Sequence, residues 1–307
     1  MDGYLSMAKS SDELSGVTNL HPLHCAKLRD PETYQMEPFL VTMNGEKIKI
    51  GNNDIIWLDP NNCSQLLAAV GLSSFSQKLP CRKRIVFIEE RIQPLLQLFP
   101  EEFKFITDYT STICWLNNNY DQESIGSAGF YEIPHCTFFS DTALFSVPPE
   151  IVPPKAHAGY AIFENFYHEA LHHQMHSVSA LSKESYLVDS KKDSPTITLD
   201  WRNRKFTLLE AIHALHVYAM VTPLRFNYSQ TITESAKGQE QQIEHIKWIN
   251  QALAESLKMW DDLSTLLLQY LQLINPFWSQ LIVQWRDKYN NFLSNHLLEG
   301  TCNATNE

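Results

Sequence analysis

The chain has 307 residues, of which 44% are hydrophobic, so it can bury a sizeable core as one large domain or two modest ones. Its 35 acidic residues outnumber the 24 lysines and arginines, which gives a formal net charge of −11. That balance argues against nonspecific nucleic-acid binding, which needs cations that displace counterions from phosphates.

The sequence shows no targeting or membrane-spanning segment. The first residues lack a basic stretch followed by an apolar run, so we predict no signal peptide. No run approaches 18 uninterrupted apolar residues, so we predict no transmembrane helix. The six cysteines are widely and irregularly spaced, which indicates reduced thiols rather than a disulfide framework or a zinc ribbon. Together these features predict a cytoplasmic protein that does not bind membranes.

The N-terminal half is predicted to mix strands with short helices. Residues 1–20 are polar and are expected to form a disordered tail. Asn44-Gly45 separates two strand-like runs, residues 39–43 and 47–50, as in a β-hairpin. Hydrophobic spacing then predicts helices over residues 64–70, 85–98 and 101–116, followed by strands over residues 128–139.

The C-terminal half is predicted to be mainly helical. Apolar residues recur at helical spacing over residues 160–181, 207–220, 239–273 and 277–298. We therefore predict an α+β fold, with a mixed N-terminal part over residues 21–150 that contains short strands. A mainly helical part over residues 151–300 carries the metal helix, and the two parts are expected to form one integrated domain.

The most informative segment is His168-Glu169-Ala170-Leu171-His172. Residues four apart project from one face of a helix, so His168 and His172 can grip one metal ion through two imidazole nitrogens. They belong to a row that borders the apolar face and should be partly buried, where unpaired polar groups are costly. The row consists of Tyr160, Glu164, His168, His172 and His176. A hydrogen-bonded histidine row on a structural helix is the alternative interpretation.

A third metal ligand has to come from elsewhere, because two imidazoles leave a catalytic ion incompletely held. On the next strong helix, His213 and His216 lie near one face, and either can complete the site. Glu210 of that helix and Glu184 are the carboxylates that a zinc-peptidase arrangement would use. The residues alone leave these alternatives open.

Two further patterns bear on the chemistry. Arg202 and Arg204 precede the second helix and can clamp a carboxylate with paired hydrogen bonds, or can form ordinary surface ion pairs. Glu169-x-x-His172 and Glu210-x-x-His213 are two Glu-x-x-His pairs on successive helices, as in ferritin-like di-iron proteins. A di-iron oxidase is therefore a further alternative.

The combination of these segments resembles the HExxH-motif family of peptide-modification proteins, which accompany gene clusters for ribosomally made, post-translationally modified peptides. The resemblance covers roughly residues 120–225. It rests on the run from Ile162 to His172, on Trp201-Arg202-Asn203-Arg204, and on the run from Ala211 to Tyr218.

The resemblance implies an iron(II)- and 2-oxoglutarate-dependent oxygenase that hydroxylates a β-carbon of a side chain in a precursor peptide, which is the expected partner. It implies that His168, His172 and His213 hold the iron. It also implies that Arg202 and Arg204 bind the carboxylate of 2-oxoglutarate.

Glu169 is the expected catalytic residue in either of two chemistries. In the oxygenase it would orient a ligand from beside the metal. In a zinc metallopeptidase it would act as general base, with Glu210 or His213 as the third ligand. A helical partner protein with no enzymatic role is the last alternative, and the sequence predicts no particular oligomeric state.

Overall fold

The computed structural model of the protein describes most residues between 45 and 296. The described ranges are 45–73, 75–117, 126–131, 133–149, 151–182, 187–188, 194–199, 205–235 and 243–296. The chain divides into two compact units, Met1–Lys183 and Glu184–Glu307. The first unit mixes short strands with helices and the second is mainly helical, which confirms the predicted α+β class. The predicted tail over residues 1–20 lies outside the described ranges.

Within the described residues of the first unit, six strands form one mixed sheet. Their order is β1-β2-β4-β6-β5, and the short strand β3 pairs with β4. Strands β2, β4 and β6 run parallel to one another, whereas β1 and β5 run antiparallel at the two ends. The strands are β1 (Gly45–Ile50), β2 (Asn53–Leu58), β3 (Ser76–Gln77), β4 (Thr112–Asn117), β5 (Ser127–Phe130) and β6 (Ile133–Phe139).

The hairpin of β1 and β2 is closed by Gly51 and Asn52, with Ile50 paired to Asn53. Gly51 has a φ of 62°, a left-handed conformation that glycine adopts without steric cost. The predicted strand over residues 47–50 is thus confirmed. Its expected partner, residues 39–43, lies outside the described residues, and β2, which follows β1, is its described partner.

The described first unit contains four α-helices, and the sheet lies between α1 and α4. The helices are α1 (Pro60–Ala69), α2 (Arg82–Leu98), α3 (Pro100–Tyr109) and α4 (Ala158–Ser182). Cys136 and Phe138 of β6 pack in the same buried cluster as Leu66 of α1. The alternate β6 residues Thr137 and Phe139 contact α4 on the opposite face. The helices predicted over residues 64–70 and 85–98 are confirmed, each with an earlier start.

The prediction of one helix over residues 101–116 was wrong in its second half. The helix ends at Tyr109, and residues Thr112–Asn117 form the central strand β4. The first five residues of β4 are all buried, because parallel neighbours and helices cover both faces of the strand. Such a strand has a continuous apolar run and no alternation, so its hydrophobic pattern resembles that of a buried helix segment.

The described second unit consists of a hairpin and three long helices. They are β7 (Thr196–Thr198), β8 (Lys205–Thr207), α5 (Leu208–Ser235), α6 (Ile243–Gln269) and α7 (Pro276–His296). Helix α5 packs along α6 and also against α7. The fully buried Arg225 of α5 donates from a guanidinium nitrogen to the carbonyl of Ala252, 2.6 Å away on α6. None of the described helices is both long enough and apolar enough to cross a bilayer.

Candidate metal centre

Helix α4 is held closely against its neighbours before it reaches the histidines. Gly159 lies so near α2 that a β-carbon there would stand 2.1 Å from the carbonyl oxygen of Arg91. One turn later Phe163 stacks on Phe99 and Phe103, with ring centroids 5.3 Å and 4.6 Å away. Phe166 meets Phe139 of β6 edge-on at 4.7 Å. These contacts fix the helix that carries the predicted metal motif.

The predicted histidine row is partly buried, as its spacing indicates. Tyr160 and Glu164 are buried near the start of α4, and the three histidines of the row are half-buried. The row is therefore more exposed at its C-terminal end than at its start.

The structure brings His168 and His172 together. Their Nε2 atoms are 3.3 Å apart, within hydrogen-bonding distance of each other. An ion held about 2.0 Å from each nitrogen at a tetrahedral angle would separate them by about 3.3 Å. Burial lowers the pKa of His172 to about 4, so this imidazole is neutral at physiological pH, which is the form that binds metal ions. The distance between the rings therefore suits either a hydrogen bond between them or a shared transition-metal ion.

Glu169 faces the edge strand β5 and is almost completely buried. Its Oε1 accepts a hydrogen bond of 2.6 Å from the Ser127 hydroxyl, and its Oε2 lies against Gly129. Burial raises the pKa of Glu169 to about 7, although the Ser127 hydroxyl and the Gly129 peptide N–H favour the charged form. A carboxyl group with a pKa near neutrality can both accept and return a proton at physiological pH.

His173 joins α4 to strand β6 through both ring nitrogens. Nδ1 accepts from the peptide N–H of His135 at 3.4 Å, and Nε2 lies 3.1 Å from the hydroxyl of Thr137. Burial, together with the neighbouring His135 and His172, holds the pKa of His173 well below its ordinary value. His173 is therefore a neutral packing residue, and both of its nitrogens are already engaged.

The contacts of α4 define which way the histidine pair faces. Successive residues advance by about 100° around a helix, so His173, Glu169, His172 and His168 follow one another in one rotational direction. His173 lies against β6 and Glu169 against β5. The next two positions, His172 and His168, therefore lie beyond β5, on the side away from β6.

Among the described residues, no group of three or more histidine, cysteine, aspartate or glutamate side chains has the arrangement of a metal site. The predicted third ligand, His213, is buried on α5 in the second unit. Its neighbour His216 packs against Trp285 of α7, with ring centroids 4.8 Å apart. Arg202 and Arg204, predicted to bind 2-oxoglutarate, lie outside the described residues, as does Glu184.

Glu210 has a structural role that its sequence pattern did not reveal. Its carboxylate accepts from the peptide N–H of Thr207 at 2.7 Å, and its own N–H donates to the Thr207 hydroxyl at 3.2 Å. This reciprocal pair is a capping box at the start of α5. The arrangement accounts for Glu210 without a metal and disfavours the alternatives in which it is a ligand.

Several residues around the motif are not singled out by the sequence. Ser127 and Gly129 contact Glu169, and His135 and Thr137 contact His173. The sequence predicted strands over residues 128–139 beside the helix that carries the histidines, and the structure confirms this placement. The sequence pattern could not show which strand residues face the helix, because that depends on how the sheet packs.

Comparison with known proteins does not assign the chain to a family. No family model matches the chain, and no curated protein matches it at a significant level.

Proposed function

We propose that this chain is an iron(II)- and 2-oxoglutarate-dependent oxygenase that hydroxylates a side chain in a ribosomally made precursor peptide. The observation that carries the metal site is the 3.3 Å convergence of the His168 and His172 nitrogens on the face of α4 beyond β5. The choice of iron and 2-oxoglutarate is supported by the sequence resemblance over residues 162–218.

In this proposal His168 and His172 hold the metal together with His213. Arg202 and Arg204 bind the carboxylate of 2-oxoglutarate. When bound, iron(II) supplies the redox chemistry by which one oxygen atom of O₂ enters the side chain and the other enters succinate, with release of CO₂. Glu169 stays beneath β5, where its hydrogen bond from Ser127 directs one carboxyl oxygen away from bulk water.

The test is an anaerobic titration of the metal-stripped protein with iron(II) and then 2-oxoglutarate. A chelated keto acid gives a weak visible charge-transfer band, which we expect in the wild type and not in His172→Ala or His213→Ala. His176→Ala is the matched control, because His176 lies on the same row one turn beyond the pair. Absence of the band in the wild type, with iron bound, would contradict the oxygenase.

The second candidate is a zinc metallopeptidase. It is favoured by one observation, the buried Glu169 with its pKa raised to about 7, which suits a general base that takes a proton from attacking water. Peptide cleavage without oxygen, abolished in Glu169→Gln while zinc stays bound, would support it. An oxygen-dependent gain of mass in an uncleaved peptide would exclude it.

A further inference from the structure

Three cysteines meet in the core between α1 and the sheet. Cys63 of α1, Cys114 of β4 and Cys136 of β6 are each at most 1% exposed. They belong to one buried cluster with apolar side chains such as Leu66 and Phe138. The wide spacing of these cysteines along the chain does not reveal that they meet. Since the described residues form no metal site of three such ligands, the chemistry open to these thiols is oxidation among themselves.

The hydrogen bonds of the thiols single out one pair. The thiol of Cys63 donates to the carbonyl oxygen of Leu58, with Sγ and oxygen 3.8 Å apart. The same sulfur is hydrogen-bonded to the thiol of Cys114. Because the proton of Cys63 is directed at Leu58, its sulfur is the acceptor in this second bond and Cys114 is the donor. The S–H bond of Cys114 therefore points at the sulfur of Cys63.

The strand register excludes a disulfide between the two strand cysteines. Cys136 of β6 lies opposite Thr112 of β4, two residues before Cys114. Two residues extend about 6.6 Å along a strand and neighbouring strands lie about 4.8 Å apart, so the Cα atoms of Cys114 and Cys136 are about 8 Å apart. A disulfide spans at most about 7 Å between Cα atoms. Cys136 is hydrogen-bonded to the Thr112 side chain instead, which leaves Cys63 as the partner of Cys114.

We propose that Cys63 and Cys114 are a redox-sensitive pair, which hydrogen peroxide oxidises to a disulfide that ties α1 to β4. Peroxide is small and uncharged, as access to thiols this deeply buried requires. The sulfur of Cys63 attacks one peroxide oxygen and forms a sulfenic acid, and the other oxygen leaves with the thiol proton as water. The sulfur of Cys114 then attacks that of Cys63, and the hydroxyl group leaves with the second thiol proton as water. Two thiols are thus oxidised to one disulfide while one peroxide is reduced to two waters.

The bond would close a long loop within the first unit. The segment between the two cysteines contains β3, α2 and α3, and both of these helices pack against α4. Closing a loop of about 50 residues restricts the unfolded chain, which lowers the ratio of unfolded to folded protein by about 1,000-fold. The oxidised protein should therefore be more resistant to denaturant than the reduced one. This inference does not depend on the proposed metal site.

The experiment oxidises the full-length wild type in the presence of a metal chelator. Accessible thiols, including that of the exposed Cys81, are first blocked with iodoacetamide. The folded protein is then treated with hydrogen peroxide, quenched with catalase, digested without reductant and analysed by mass spectrometry. We expect a cross-linked pair of peptides that contain Cys63 and Cys114 and together lack two hydrogen atoms. We also expect the midpoint of urea unfolding to rise, and to return to its starting value after reduction of the unfolded chain and refolding.

Two variants assign the effect to this pair. Cys136→Ala is the matched control, because it removes the third thiol of the cluster and should oxidise as the wild type does. Cys114→Ala should lose both the cross-link and the rise of the urea midpoint. The inference would be overturned if Cys63 and Cys114 stayed reduced at every peroxide concentration at which the chain remains folded. A cross-link to Cys136, or oxidation of Cys63 to a sulfonic acid without any cross-link, would overturn it equally.

Discussion

Oε2 of Glu169 lies so close to Gly129 that a β-carbon at that position would stand 3.2 Å away from it. The same β-carbon would be 3.1 Å from Cε1 of His173, so a methyl group there would fit only if both side chains gave way by a few tenths of an ångström. Residue 129 is thus a point where strand and metal helix are in direct contact.

We expect Gly129→Ala to destabilise the protein by about 1–3 kcal/mol, the usual cost of inserting a methyl group into a packed site. It should also weaken zinc binding, because the side chains of Glu169 and His173, next to the histidine pair, have to move to make room. Gly126→Ala is the matched control, since a β-carbon there meets nothing within 4 Å. Urea unfolding and zinc titration of both variants check this, and equal behaviour of the two would contradict it.

Ser127→Ala removes the hydroxyl that donates to Oε1 of Glu169. A buried carboxyl group left without this partner costs about 1–3 kcal/mol. We expect the loss in the free energy of unfolding to exceed that of Ser146→Ala, which removes a hydroxyl bonded to the carbonyl of Thr142. Chemical denaturation measures both, and a smaller loss for Ser127→Ala would show that Glu169 does not depend on this hydrogen bond.

The free energy of unfolding of the metal-free protein should depend on pH through the ionisation of Glu169. Burial raises its pKa from 4.5 to about 7, so the native state keeps a proton that the unfolded state releases. The stabilisation is complete below about pH 4.5 and is lost as the pH rises to about 7. Relative to Glu169→Gln, the wild type should therefore lose about 3 kcal/mol over this window.

His172 contributes to the pH dependence of stability with the opposite sign. Because both the wild type and Glu169→Gln contain His172, the difference between the two proteins is free of this contribution. The pKa of His172 is lowered from 6.5 to about 4, so its contribution is present above about pH 6.5 and is lost as the pH falls towards 4. Denaturation curves between pH 4.5 and 7 in the presence of a chelator provide the measurement. A difference between the two proteins that does not change with pH would mean that Glu169 ionises as easily folded as unfolded.

The capping box at the start of α5 gives a test that separates structure from metal binding. Glu210→Ala should cost about 1 kcal/mol of stability, the typical value for a lost cap. Glu210→Gln keeps the capping geometry and removes only the carboxylate, so we expect stability and zinc affinity close to wild type. Loss of zinc in Glu210→Gln would instead support the peptidase or the di-iron alternative.

The described cysteines should differ sharply in reactivity. Cys81 is exposed at the start of α2, and the peptide N–H groups of Arg84 and Lys83 lower the pKa of its thiol. Burial raises the pKa of Cys136 to about 12, and a hydrogen bond with Cys63 together with burial raises that of Cys114. Iodoacetamide at neutral pH, followed by peptide mapping, should modify Cys81 far faster than Cys114 or Cys136. Equal rates in the folded protein would contradict this.

The parts of the site that sequence could predict are those set by local spacing. The pair His168 and His172 is four residues apart, so a helix alone is enough to bring the two rings together. The long helices α6 and α7 were likewise predicted to within a few residues, because each has a sustained apolar stripe and α7 begins at a proline.

The parts that sequence could not predict depend on contacts between distant segments. Thr112–Asn117 was expected to be helical, and only its position between two parallel strands explains why its apolar run is a strand. The positive φ of His135 has no local signal, because it is stabilised by His173, 38 residues away in sequence. Glu210 shows that a residue pattern typical of a metal ligand can also belong to a helix cap, which the sequence alone did not reveal.

The division of α4 into a side that faces the sheet and a side that carries the histidine pair has an evolutionary consequence. Glu169 and His173 contact the strands, whereas His168 and His172 lie beyond them. Exchanging His168 or His172 for cysteine or aspartate would change the softness of the side chains on the histidine side without repacking the sheet. In the proposed metal site, single substitutions of this pair would therefore shift the preference among metal ions while α4 keeps its packing on the sheet.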